Sequence, residues 1–212
     1  MPFLVFEGLD GSGKSSLMSA LEGELQSKGQ RTLRTREPGG TPLGDEIREL
    51  ILRTQGAAPT ARTELLLYEA SRAQHCDLVI RPALERNQWV LCDRFTASSI
   101  AFQAGGREIP LTWVERLNEF ATSGLKPDVT VLLDLSVEES RRRRNHRNNE
   151  TGSQQDRIES ETDVFHEKVR HGFLKQAEQD PKSWIVLDAA KSPAQLLQEL
   201  LSKLKGFKWD AF

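Results

Sequence analysis

Short apolar runs alternate along this chain with longer segments in which apolar residues recur every three or four positions. Residues 3–6, 89–92, 129–133 and 184–187 are apolar almost without interruption, the pattern of strands buried on both faces. Residues 30–35 carry only Leu33 between polar neighbours and predict a more exposed strand. Between these runs the helical period predicts segments at 16–28, 44–52, 60–86, 96–103, 111–123, 159–179 and 193–205. A further helix starts at Ser136, carries the arginines 141–144 and is expected to break up over 145–155. Strands alternating with helices mean a parallel sheet covered on both faces, an α/β fold with right-handed crossovers.

The first strand-to-helix junction reads Gly8-Leu9-Asp10-Gly11-Ser12-Gly13-Lys14-Ser15, which satisfies G-x-x-x-x-G-K-[ST] at every fixed position. Glycines let successive N–H groups approach phosphate oxygens, Lys14 adds a cation and the Ser15 hydroxyl can ligate Mg²⁺. The third strand ends at Asp93-Arg94, at the edge where ligands bind in open α/β sheets. A surface ion pair is the plain alternative there, as a turn is for Glu37-Pro38-Gly39-Gly40 and a solvated helix face is for Arg141 to Arg144. Residues 146–155 are polar and free of aromatics, which predicts a mobile lid beside those arginines.

Composition narrows the classes. The 212 residues suit a single domain, and 29 Lys plus Arg against 31 Asp plus Glu argue against nucleic acid or a membrane surface as partner, so an anion site must be local. Cys76 and Cys92, the only cysteines, match neither a zinc pattern nor a disulfide scaffold, and no apolar run approaches a membrane span or a leader. A cytoplasmic protein is expected. The aromatic tail, with Phe207, Trp209 and Phe212, is expected to pack on the body or in a subunit contact.

The P-loop, Arg36-Glu37-Pro38-Gly39-Gly40, Asp93-Arg94-Phe95, Ser98-Ser99 with Gln103, and Asp156-Arg157-Ile158-Glu159, in this order, resemble the bacterial thymidylate kinases over nearly the whole chain. The resemblance implies a P-loop α/β/α fold whose five parallel strands lie in the order 2-3-1-4-5, one domain over 1–212 with a lid at about 145–156. It implies Mg²⁺-dependent transfer of the γ-phosphoryl of ATP to dTMP, giving dTDP for dTTP synthesis, by a homodimer. By the family's pattern Gly8, Leu9, Asp10, Gly11, Ser12, Gly13, Lys14, Ser15 and Ser16 hold ATP, with Lys14 on the transferring group and Asp10 near the acceptor sugar and metal. Ser15 and Asp93 serve the metal. Arg94 binds the acceptor phosphate, Ser99 and Glu37 with Pro38, after a cis peptide, face the acceptor, and Arg72 and Gln103 meet the thymine edge. Tyr68 stands where the family usually stacks a Phe on the base, and Phe102 where a Tyr usually lies beneath the sugar. No P-loop residue here is arginine, so the bridging cation is expected from the lid, with Arg147 first, Arg143 toward the adenine or donor phosphates, and Arg157 as the third candidate. A UMP or CMP kinase and a P-loop switch protein are the rival readings; the chain holds no Asn-Lys-x-Asp for a guanine switch.

Overall fold

A computed structural model describes residues 2–152, 154–207 and 209, so Ser153 of the expected lid and Phe212 of the tail lie outside the described residues. Five parallel strands form one sheet in the order β2-β3-β1-β4-β5, the order implied by the resemblance. They are β1 (Phe3–Glu7), β2 (Thr32–Arg36), β3 (Trp89–Asp93), β4 (Val129–Asp134) and β5 (Trp184–Asp188). Central β1 is buried along its length, while β5 at one edge buries Ile185 and Leu187 and exposes Val186 between them. An unbroken apolar run thus marks the centre of the sheet, and alternation marks a rim.

The helices are α1 (Lys14–Ser27), α2 (Pro42–Leu52), α3 (Ala61–His75), α4 (Arg81–Glu85), α5 (Thr96–Ser99), α6 (Leu111–Thr122), α7 (Val137–Thr151), α8 (Asp163–Gln179) and α9 (Pro193–Leu204). Thr41, Ser136, Thr162 and Ser192 each cap a helix by accepting a backbone N–H three residues on, and Ser192 with Gln195 completes a capping box. Leu17, Leu21 and Leu25 of α1 and Leu196, Leu200 and Leu204 of α9 pack on Leu4, Phe6, Val131 and Leu133 of the sheet. The opposite side holds two smaller clusters, one around Phe102, Phe165 and Phe173, the other around Phe3, Phe95 and both free, buried cysteines.

Four segments depart from the periodicity. The helix expected at 60–86 is α3 and α4 joined by a π-helical turn, Cys76–Ile80, immediately before Pro82. Proline lacks an N–H and its ring clashes with the carbonyl four residues back, and a widened turn accommodates both. The short helix after β3 likewise passes into a π-turn, Ile100–Gly106, after only four residues of α5. Residues 145–151 do not form a loop: α7 continues to Thr151 and Gly152 follows in the left-handed conformation. Few apolar anchors exist there, but Arg142 and Arg143 pair with Glu139, and His146 with Glu150, at helical spacing. Glu159, expected at a helix start, lies in a separate turn in which the Asp156 carboxylate accepts the N–H groups of Ile158 and Glu159, and α8 begins only at Asp163. In the tail, Trp209 stacks on Phe207 and meets the edge of Trp89, packing against the body.

Candidate functional site

Parallel pairing of β1 with β3 puts Phe6 beside Asp93, so the P-loop and Asp93-Arg94 leave the sheet side by side. In the P-loop, Gly8 has φ 132°, and a Cβ there would sit 2.5 Å from the Leu133 carbonyl oxygen. Only glycine fits. Gly13, left-handed as well, opens α1 without a side-chain cap, which leaves that helix N-terminus to an anion. Lys14 folds back, its Nζ donating to the carbonyls of Gly8 at 3.0 Å and Leu9 at 3.2 Å. Burial draws its pKa below the ordinary lysine value, and the nearby Arg94 adds to that.

Ser15 is exposed, with Oγ 3.5 Å from Asp93 Oδ2. Asp93 Oδ1 is buried and has no hydrogen-bond partner. An unpaired carboxylate oxygen beside a hydroxyl, next to a phosphate loop, fits Mg²⁺, which takes few protein ligands and completes its shell with phosphate and water oxygens. The described residues accordingly contain no cluster of three or more His, Cys, Asp or Glu able to cage a metal alone.

Arg94 has φ 73°, a conformation that costs a non-glycine residue and recurs at functional sites. Its guanidinium lies 2.9 Å from Asp10, 3.8 Å from Glu7 and 5.0 Å above the Phe102 ring. Glu7, wholly buried at the end of β1, accepts from the N–H groups of Phe95 at 2.9 Å and Ser98 at 3.1 Å and from Ser98 Oγ at 2.6 Å. Burial pushes its pKa up to about 7 against the opposing pull of Arg94 and Ser98. Burial would raise Asp10 also, but there Arg94 and Lys14 prevail and hold the carboxyl below the usual range.

Arg94 stands between two recesses. One is a wide polar cleft shared by Ser15, Asp93 and Asp10. The other is a narrower pocket bringing together Asp10, Glu37, Pro38, Tyr68, Ser99, Phe102 and Gln103, all expected at the acceptor from the sequence. The Glu37–Pro38 peptide is cis, as expected. Burial lifts the Tyr68 phenol well above its usual pKa, so the ring enters this wall uncharged.

A family model described as thymidylate kinase matches residues 6–200. The chain is 68% identical over 204 residues to a thymidylate kinase of Bdellovibrio bacteriovorus, covering 96% of this chain and 95% of the relative. It is 46% identical to one of Geotalea daltonii, over 88% of each chain, and 44% identical to one of a Synechococcus strain, over 96% of each. The chain belongs to the thymidylate kinase family.

Two placements expected for a thymidylate kinase are changed. Arg72 is 1% exposed and does not face the cavity. Among the described residues it donates from Nε to Glu37, from Nη1 to Glu69, Ser99 and Asn118, and from Nη2 to the Phe95 carbonyl, so its guanidinium is held behind the wall. Arg157 is a tether rather than a free cation, donating to the Ile51 carbonyl at 2.8 Å and to Glu64 at 2.6 Å. On α7, Arg143 lies against the P-loop, where a Cβ on Gly11 would come within 3.2 Å of it, and donates to the Ala189 carbonyl at 3.1 Å. Arg147 is half exposed and ion-paired with Glu159 at 2.6 Å.

The sequence did not single out Glu7, Arg48 or Glu64 for the site, and held Asp156 only within a motif and Arg144 only within a run of arginines. Arg48 and Asp156 line the same pocket as Tyr68 and Gln103. Arg144 is 2% exposed with its Nε unpartnered, and it shares a buried face of α7 with Val137 and Ser140, whose hydroxyl donates to the Asp10 carbonyl at 2.7 Å. Spacing of 3 and 4 residues from Val137 to Ser140 to Arg144 was the available signal, hidden in a run of four arginines.

Glu7 makes the fold sensitive to pH. Its native pKa lies above the ordinary carboxylate value, so the folded protein binds the extra proton, and this contribution to stability is full below about pH 4.5 and lost as pH rises through about 7. Urea unfolding from about pH 5 to about pH 8 is expected to show the advantage of the parent over Glu7→Gln shrinking as pH rises. An unchanged difference would place the Glu7 proton elsewhere.

Proposed function

We propose a division of the site at Arg94, with ATP on the P-loop side and dTMP in the narrower pocket lined by Tyr68, Phe102 and Gln103. Membership of the family makes the chain an ATP-dependent kinase that phosphorylates dTMP to dTDP. The observation that carries the division is Arg94 itself, paired to the P-loop Asp10 and lining both recesses. A phosphate acceptor must lie where donor and acceptor sites meet, and a cation held there offsets the repulsion between them. The acceptor oxygen is already ionised at neutral pH, so positioning and charge neutralisation suffice and no side-chain base is required.

In this reading the triphosphate meets the N–H groups of the P-loop and α1, with Leu9, Gly11, Ser12 and Ser16 shaping the cradle, and Lys14 exchanges two carbonyls for phosphate oxygens. Ser15 and Asp93 would hold Mg²⁺, which would supply charge neutralisation at the phosphates. Tyr68 stacks on the base, Phe102 lies beneath the sugar and supports Arg94, and Gln103 reads the base edge. Arg72 holds Glu37 and Ser99 in the wall. Arg147 leaves Glu159 to reach the transferring phosphoryl group, while Arg143 stays between the P-loop and Ala189, where the adenosine end of ATP would lie. Such a reaction belongs in the cytoplasm, and among the described residues no helix is long and apolar enough to cross a membrane.

ADP release against a panel of nucleoside monophosphates tests the assignment. dTMP is expected to exceed dCMP, AMP and GMP by about a hundredfold or more in kcat/KM. Comparable use of another monophosphate would overturn it.

The cations are tested one at a time. Lys14→Ala is expected to lose several decades of rate, and Arg147→Ala about 10³-fold in kcat with a smaller change in the KM for dTMP. Arg147→Lys restores only part because the planar fork is missing. Arg141→Ala, removing an exposed partner of Asp163, is expected to stay within about threefold. Equal kcat for parent and Arg147→Ala would leave α7 a solvated helix.

Homodimerisation is part of the same proposal. Leu43 and Leu50 on α2, Leu66 on α3 and Trp113 and Phe120 on α6 are exposed on neighbouring helices, Phe120 by 85%. An apolar patch on adjoining helices fits a second copy of the chain. Sedimentation is expected to give twice the 23.9 kDa chain mass, and Phe120→Glu to shift it toward the monomer. A monomeric parent at micromolar concentration would refute this.

A further inference from the structure

Gln103 lies in the π-turn after α5, is 2% exposed, and places its carboxamide between the cavity and Glu64 of α3. Its Nε2 donates to Glu64 Oε1 at 2.9 Å. Glu64 is 1% exposed and holds three further bonds, from Arg107 Nε and Nη2 at 3.1 Å each and from Arg157 Nη2 at 2.6 Å. Burial by itself would raise the Glu64 pKa, but the bonds from Arg107, Gln103 and Arg157 outweigh it and keep the group ionised. An ionised carboxylate only accepts hydrogen bonds. The Gln103 group turned toward it must therefore be the NH₂, which directs Oε1 the other way. Oε1 takes no hydrogen bond from the described residues, and Gln103 lines the cavity.

We propose that Glu64 is the positioning residue for base choice: by pinning the Gln103 amide it presents the pocket with an acceptor only, selecting pyrimidines whose N3 carries a hydrogen. Thymine and uracil have that N–H. Cytosine presents a lone pair at N3 instead, and two acceptors then face each other at a wall where Gln103 is only 2% exposed and an unpaired polar group is expensive. Glu64 touches no substrate. Its grip on the amide comes from two charged partners, Arg107 four residues after Gln103 and Arg157 beyond α7. The inference rests on the base of dTMP occupying this cavity.

Three variants of the full chain test it, each assayed for kcat/KM with dTMP and with dCMP at saturating ATP. Glu64→Gln offers an NH₂ of its own, so the Gln103 amide can turn over and give the pocket a donor. Its dTMP-to-dCMP ratio is expected to fall at least about tenfold, through the KM for dTMP and newly effective dCMP, with kcat for dTMP within about threefold. Glu64→Asp keeps the charge for Arg107 and Arg157 but withdraws it from Gln103 by one methylene, so it relaxes the ratio in the same direction even if Glu64→Gln folds poorly. Gln103→Leu removes the reader itself. If Gln103→Leu relaxes the ratio while Glu64→Asp and any folded Glu64→Gln leave it within about threefold of the parent, Glu64 is only a hub tying α3 to the segment after α7, and the inference fails. If Gln103→Leu also leaves the ratio unchanged, the placement of the base in this cavity fails instead.

Discussion

The arrangement depends on a carboxylate that the sheet buries completely. Glu7 ends the central strand, where a charge is costly, and four groups offset that cost: two N–H groups and a hydroxyl from the segment after β3, and the Arg94 guanidinium. β1 leads into the P-loop and β3 into Arg94, so this single carboxyl group joins the P-loop to Arg94. The register of β1 against β3 brings the ends together, and Glu7 then sets how the chain leaves the sheet.

Two other charged hubs repeat the device farther out. Arg72 gathers Glu37, Glu69, Ser99 and Asn118 from four separate segments, and Glu64 gathers Gln103, Arg107 and Arg157 from two. Each is about 1% exposed and almost fully hydrogen-bonded, and each bonds to residues that line the pocket of Tyr68 and Phe102. Buried networks of this kind contribute little net stability compared with an apolar core, but they specify geometry, because displacing one member leaves its partners unpaired in a medium of low dielectric. In the reading proposed above, positioning carries the reaction, and these hubs fix the walls of the pocket.

The helix carrying the expected lid illustrates a charge pattern that composition cannot resolve. Within one run of four arginines, Arg142 is exposed and paired to Glu139, Arg143 rests on the P-loop, and Arg144 is buried beside Ser140. The rotation of about 100° between neighbouring helical residues separates their fates. That same helix runs on through 151 because its ion pairs follow helical spacing.

Much of this protein could be read before its structure. The buried strands and the P-loop follow from local patterns, whereas the strand order, Asp93 beside Ser15, the cis peptide before Pro38 and the residues gathered around the Phe102 pocket were expectations carried by the family resemblance, which the motif order revealed. The π-turns, the length of α7, the retreat of Arg72 behind the wall and the anchoring of Arg157 could not be read that way. The last two depend on partners many residues distant: Glu64 lies 93 residues before Arg157, and Arg72 lies 46 before Asn118. A charged side chain looks the same in sequence whether it faces solvent, substrate or a buried counter-charge. Only the packing that withdraws it from water decides which of these it meets.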